Sequence, residues 1–161
     1  MPDLLRLALE QLQSVPPALW LRRSGVLYLL VNAAHIVAMG LLIGSIVPLD
    51  LRLLGVLKPG ALAVLAPVLA RTAATGLALA VVTGALLFSV RPLDYLYNPA
   101  FLAKMGLLAA GAVNAWLVNR GRAWASVANG SPPSPALRIQ AAASLVLWLG
   151  CLVAGRWIGF L

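Results

Sequence analysis

The sequence predicts an all-α fold: a four-transmembrane-helix bundle preceded by an N-terminal amphipathic helix lying on the membrane interface. Three observations carry that expectation. Residues 25–47 form a run of 23 without one charge. As a helix this run extends about 34 Å at roughly 1.5 Å per residue, enough to cross a hydrocarbon core of about 30 Å. Hydrophobic residues make up 62% of the 161 and mean hydropathy is +0.97, while only 10% are charged. A water-soluble domain carries about 25% charged residues. Finally, the charges that do occur divide the rest of the chain into three more apolar stretches of membrane-crossing length, and nothing reads as a strand.

Taken in order, residues 1–24 place Leu5, Ala8, Leu9 and Leu12 at helical spacing opposite Asp3, Arg6 and Glu10. That pattern describes an interfacial helix. It does not describe a signal peptide, because the apolar run starts late, is too long, and has no small-residue cleavage site behind it. The transmembrane domain, residues 25–161, begins with a span over 25–47, closed by Pro48 and followed by Asp50 and Arg52. A second span occupies 67–90, with Pro67 suited to a helix start. The third, 100–119, has ordinary length once Lys104 snorkels to the headgroups. The fourth covers 139–159, with Arg156 and Trp157 at its far interface. Lys58-Pro59-Gly60, the stretch from Arg91 to Pro99 with Tyr95 and Tyr97, and Ser131-Pro-Pro-Ser-Pro135 break the chain between spans. Trp20, Trp124 and Trp157 fall near span ends, where indoles prefer to sit.

Four spans put both termini on one side. Arg6, Arg22, Arg23, Arg91, Lys104 and Arg156 lie there, against Arg52, Lys58, Arg71, Arg120, Arg122 and Arg138 opposite, six on each side. The pair Arg22-Arg23 directly before the first span favours cytoplasmic termini in a bacterial inner membrane. No basic cluster is longer than that pair, which argues against nucleic acid and leaves anionic lipid as the counterion. A single cysteine, Cys151, excludes an intrachain disulfide. Small residues recur at four-residue spacing: Thr72, Gly76, Ala80 and Gly84; Gly40 and Gly44; Gly106, Ala110 and Asn114. Such faces let helices approach closely in lipid, either within the chain, the simpler use, or in a homo- or hetero-oligomer.

His35, the one histidine, sits near the middle of the first span. An imidazole at bilayer depth needs a partner or a job. Met39 and Asn32 share its helical face. Counting rise from the terminal side puts His35 at roughly 15 Å, Met39 and Asn114 at about 21 Å, and Cys151 at roughly 12 Å, with Met105 too shallow at about 7 Å. Asn32, His35 and Asn114 are therefore expected to make polar contacts between spans. His35, Met39 and Cys151 are candidate metal ligands, since imidazole, thioether and thiolate together suit Cu(I). The donors are few, however, and a hydrogen-bonded histidine among ordinary packing residues is the commoner outcome. Haem b would need His/Met ligation or a ligand from a second chain. The expectation is no cofactor, with copper or haem as the alternative.

The four carboxylates, Asp3, Glu10, Asp50 and Asp94, all fall outside the predicted spans, which argues against a proton relay or cation site at membrane depth. Asp50 is expected to pair with Arg52, and Asp94 with Arg91, at helix ends; Arg71, Lys104 and Arg156 complete the set of interface charges. No nucleophile has a base beside it, so catalysis is not expected.

Several stretches carry a resemblance. They are Ala34-His35, Gly44 to Gly55 (GSIVPLDLRLLG), Thr83-Gly-Ala-Leu-Leu-Phe88, Asn98-Pro-Ala-Phe-Leu-Ala-Lys104, Asn114-Ala115, Ser144 to Gly150, and Gly155-Arg-Trp-Ile158. Together they resemble, from Trp20 onward, a bacterial family of small four-helix integral membrane proteins catalogued only as a domain of unknown function. The resemblance implies four spans and no assigned activity. By architecture alone the chain is also similar to CopD-like copper-resistance membrane proteins and membrane cytochromes b. The functional expectation is a non-enzymatic accessory or binding subunit of a membrane assembly; the alternative is a copper-handling or haem b-binding redox protein centred on His35.

Overall fold

Three of the long helices begin at a residue whose side chain caps the first turn. The computed structural model describes residues 3–58 and 62–160, which form helices and short connections with no strand among them. Two short helices come first, α1 (Asp3–Ser14) and α2 (Pro16–Arg23). Val15 between them is extended, as a residue before proline must be, and Pro16-Pro17 then starts α2. Arg6 Nε donates to Glu10 Oε1 at 3.0 Å along α1. In α1, Leu9 and Leu12 are half-buried and Ala8 is exposed, while the side chains of Asp3 and Leu5 lie outside the described residues. Ala18 and Leu21 of α2 are buried, so the N-terminal segment docks on the bundle.

Ser24 caps the first long helix, α3 (Gly25–Leu54), accepting a hydrogen bond from the Leu27 N–H at 3.2 Å. This helix does not close at Pro48 but runs through it to Leu54. A proline deletes one backbone hydrogen bond, a loss that neighbouring helices make tolerable inside a bundle. The actual stop is Gly55, whose φ of 84° is left-handed, with the Val56 N–H returning to the Leu51 carbonyl at 3.0 Å. The next helix, α4 (Leu62–Val90), likewise starts before Pro67 rather than at it. Pro59 and Gly60, expected to break the link, lie outside the described residues. A short α5 (Pro92–Leu96) leads to α6 (Pro99–Arg120), capped by Asn98 Oδ1 on the N–H groups of Ala100 and Phe101. After α7 (Arg122–Ala128), Ser134 caps α8 (Pro135–Trp157), and a 3-10 turn (Ile158–Phe160) follows. Four helices, α3, α4, α6 and α8, are long and apolar enough to cross a membrane. The chain is an integral membrane protein built as a four-helix bundle.

The bundle is two tight pairs. α3 packs on α4, α6 on α8, and α3 on α8 joins them. Gly76 makes the first pair: a Cβ there would stand 2.6 Å from the Leu42 nitrogen and 2.9 Å from the Ala38 oxygen, so the two backbones touch. Gly111 serves the second pair, facing the Trp148 indole at 3.1 Å from where its Cβ would be. Gly40, Gly44 and Gly106 face open space, so these three glycines make no close helix contact inside the chain. On the side away from the termini, Val127 of α7 closes a core of Leu49, Leu53, Leu62, Ala66, Leu137 and Ala141.

Gly76→Ala is expected to destabilise the bundle by about 1–3 kcal/mol, because the added methyl meets backbone that cannot step aside. Gly40→Ala, facing open space, is expected to be neutral or slightly stabilising, alanine being the better helix former. Thermal unfolding in one detergent compares the two, and equal losses would remove Gly76 as the contact point.

Candidate functional site

The two helix pairs separate around a cavity of about 400 Å³. α3 supplies His35 and Met39, α4 supplies Ala80, Gly84 and Phe88, α6 supplies Phe101, Lys104 and Met105, and α8 supplies Trp148 and Cys151. α4 and α6 face each other across it without forming an extended interface of their own. The volume lies within the roughly 300–1,000 Å³ range of small-molecule sites, and the wall is almost wholly apolar, with very few polar groups, as such sites usually are.

His35 is fixed rather than loose. Its Nδ1 lies 2.8 Å from Thr83 Oγ1. The Thr83 hydroxyl has one proton, and it donates this to the Leu79 carbonyl one turn back at 2.7 Å. Thr83 is therefore left to accept, so Nδ1 carries the imidazole proton and the basic lone pair sits on Nε2. Gly84 makes the space: a Cβ there would lie 3.2 Å from His35 Cε1.

Lys104 is the one cation on the cavity wall. Its side chain runs along Gly155 near the C-terminal end of α8, 3.4 Å from the place of a Cβ. The Lys104 carbonyl meanwhile accepts a long contact of 3.8 Å from the buried Cys151 Sγ. Phe88 and Phe101 stack at this end with ring centroids 5.4 Å apart, and Tyr95 lies tilted against both.

The three sulfur and nitrogen candidates, His35, Met39 and Cys151, do share this cavity, and Met105 joins them although its depth seemed too shallow. Asn32 does not: it is exposed, and the cavity lining begins one turn further on. Asn114 is also absent. It lies in a second, smaller cavity and donates through Nδ2 to the Gln140 carbonyl at 3.1 Å, a contact between α6 and α8. Among the described residues no three His, Cys, Asp or Glu side chains gather closely enough to hold a metal.

The interface charges divide. Arg71, Arg91 and Arg156 are exposed, and the Arg156 guanidinium sits 4.7 Å over the Phe160 ring. Asp50 corrects the expectation. It is 3% exposed and lies within α3, because the helix continues past Pro48 and rotates this side chain inwards. It does not pair with Arg52, whose Nη1 turns back to the Pro48 carbonyl at 3.3 Å. Arg6–Glu10 is the one ion pair among the described residues.

The sequence profile described as "Family of unknown function (DUF6644)" matches residues 21–161. The chain belongs to this family. No curated protein and no solved structure matches the sequence, so the architectural likeness to CopD-like proteins and membrane cytochromes b has no named relative behind it. Within this DUF6644 chain, sequence reasoning missed Thr83 as the histidine's partner and Lys104 as a cavity residue. A threonine directly before a glycine, on the helix that packs against the imidazole, was the available sign for the first.

With a single histidine, the imidazole nitrogens give one readable pair of ¹⁵N resonances. They are expected to report a proton on Nδ1 in the wild type. Thr83→Val is expected to release that preference and cost about 1 kcal/mol, the worth of one hydrogen bond. A proton on Nε2 in the wild type would refute the arrangement.

Proposed function

We propose that this DUF6644 protein is a non-enzymatic membrane subunit that binds a lipophilic molecule carrying an acidic or hydroxyl head. The observation that carries this reading is the apolar cavity of about 400 Å³ with the polar equipment of His35 and Lys104 on its wall. An Nε2 lone pair accepts from a head-group O–H, and the Lys104 ammonium donates to a head-group oxygen. The apolar body lies among Met39, Leu77, Val81 and Leu108, entering from the bilayer along the seam between α4 and α6. An accessory role needs a face for a partner, and Gly40 and Gly44 leave one open on α3. We place the protein in a bacterial inner membrane with cytoplasmic termini, on the arginine pair before α3.

A second reading has one specific observation in its favour: His35, Met39 and Cys151 line the same cavity. Copper or haem b held there is disfavoured by the Lys104 ammonium on the shared wall, which repels a metal cation. Elemental analysis and a Soret band on purified protein address it directly.

The lipophilic reading is tested with a dibrominated long-chain fatty acid, which quenches tryptophan on contact. Saturable quenching is expected in the wild type and is expected to be lost in Trp148→Phe. Lys104→Met is expected to weaken binding about tenfold, the loss of one charge-assisted hydrogen bond. Non-saturable quenching identical in all three proteins would sink the proposal.

A further inference from the structure

Behind Trp148 lies a second cavity of about 100 Å³, with Asp50 from α3, Asn114 and Asn119 from α6, and Gln140 and Ser144 from α8 on its wall. Asp50 is nearly sealed from solvent, and its Oδ2 has no hydrogen-bond partner in the protein. The Ser144 hydroxyl is the hydrogen-bonding neighbour of the carboxylate. Of the residues that α3, α4, α6, α7 and α8 contribute to this wall, Asp50 alone is ionisable. The nearest charge in the sequence, Arg52, is turned to the Pro48 carbonyl.

A carboxylate buried without a counter-charge is among the most costly arrangements a protein interior can hold. The neighbouring groups say what relieves it. Asn114 Nδ2 is committed to the Gln140 carbonyl and Asn119 Nδ2 to the Ala115 carbonyl, which leaves the oxygen of each amide as an acceptor. With Ser144 Oγ and Asp50 Oδ2, these form a set of hard oxygen donors and no soft one, the kind that takes hard cations. The space is several times the ~10–15 Å³ that one water needs.

We infer that this cavity binds one small monovalent cation on Asp50, an alkali ion or a proton carried by water. The shared chemistry is a single positive charge delivered to Oδ2 and shelled by neutral oxygens. The site is independent of the lipophilic cavity, whose occupant it neither needs nor excludes.

Three aspartates make the test direct. Protein labelled with ¹³C at the aspartate carboxyl and held in lipid nanodiscs gives three signals, Asp3, Asp50 and Asp94. Asp3→Asn and Asp94→Asn assign the other two, so nothing depends on an Asp50 variant folding. One arm raises sodium chloride against choline chloride at constant pH; the other varies pH in choline chloride between about pH 5 and pH 8, the window in which folded proteins are generally most stable. The Asp50 signal is expected to move saturably in at least one arm. A response to sodium but not choline identifies an alkali ion, and a response to pH alone identifies the proton. Ser144→Ala is expected to weaken the response about three- to tenfold, the equivalent of one lost hydrogen bond. An Asp50 signal that stays fixed in both arms overturns the inference, as does a Ser144→Ala response equal to that of the wild type.

Discussion

In lipid, two apolar helices gain nothing from hiding from water, so their attachment rests on how many atoms they bring into contact. The crossing of α3 and α4 at Gly76 meets that constraint by letting backbone touch backbone at Ala38 and Leu42. The crossing also fixes register. His35 lies one turn from Ala38 along α3, and Thr83 and Gly84 lie two turns from Gly76 along α4, so the same contact that joins the helices delivers the imidazole to its acceptor. The second pair is clasped differently, by an indole over Gly111 and an amide from Asn114 to a backbone carbonyl. Two closely bound pairs that meet mainly along α3 and α8 leave α4 and α6 apart, and the large cavity is the gap that results.

Polar groups within the spans are mostly satisfied locally. Thr72, Thr75 and Thr83 return their hydroxyls to carbonyls one turn earlier, which removes three donors from contact with lipid. His35 and Asn114 reach across to another helix. Asp50 reaches Ser144 on α8 but keeps one oxygen, Oδ2, without a partner, and that carboxylate makes the smaller cavity chemically distinct from its neighbour.

The count of spans and their approximate places were legible because a charge inside hydrocarbon is costly enough to punctuate the sequence. Their ends were less so. Pro48 and Pro67 read as a stop and a start, as they would in water, whereas both lie inside continuous helices here. The misread stop at Pro48 also hid Asp50, which a helix ending there would have left at the headgroups. Which residues face inward was barely legible at all. A helix that is apolar all round carries no stripe to separate lipid-facing from bundle-facing positions. Asn32 and His35 could thus be placed on one face by spacing, although one is exposed and the other lines a cavity. Depth counting had the same weakness: it levelled Asn114 with Met39, while the rotation of α6 turned the amide to the opposite cavity. The small residues were expected to pack helices closely within the chain; Gly76 does so, pressed against backbone, whereas Gly40, Gly44 and Gly106 touch nothing.

Trp148 stands on the wall of both cavities, nearly sealed from solvent, along with Leu42 and Leu77. Placed there, the indole acts as a septum. One ring thus serves as a wall for two chambers of unlike lining, one apolar and one bearing a carboxylate. The two chambers are separated by little more than one aromatic ring, so any change at this position alters both.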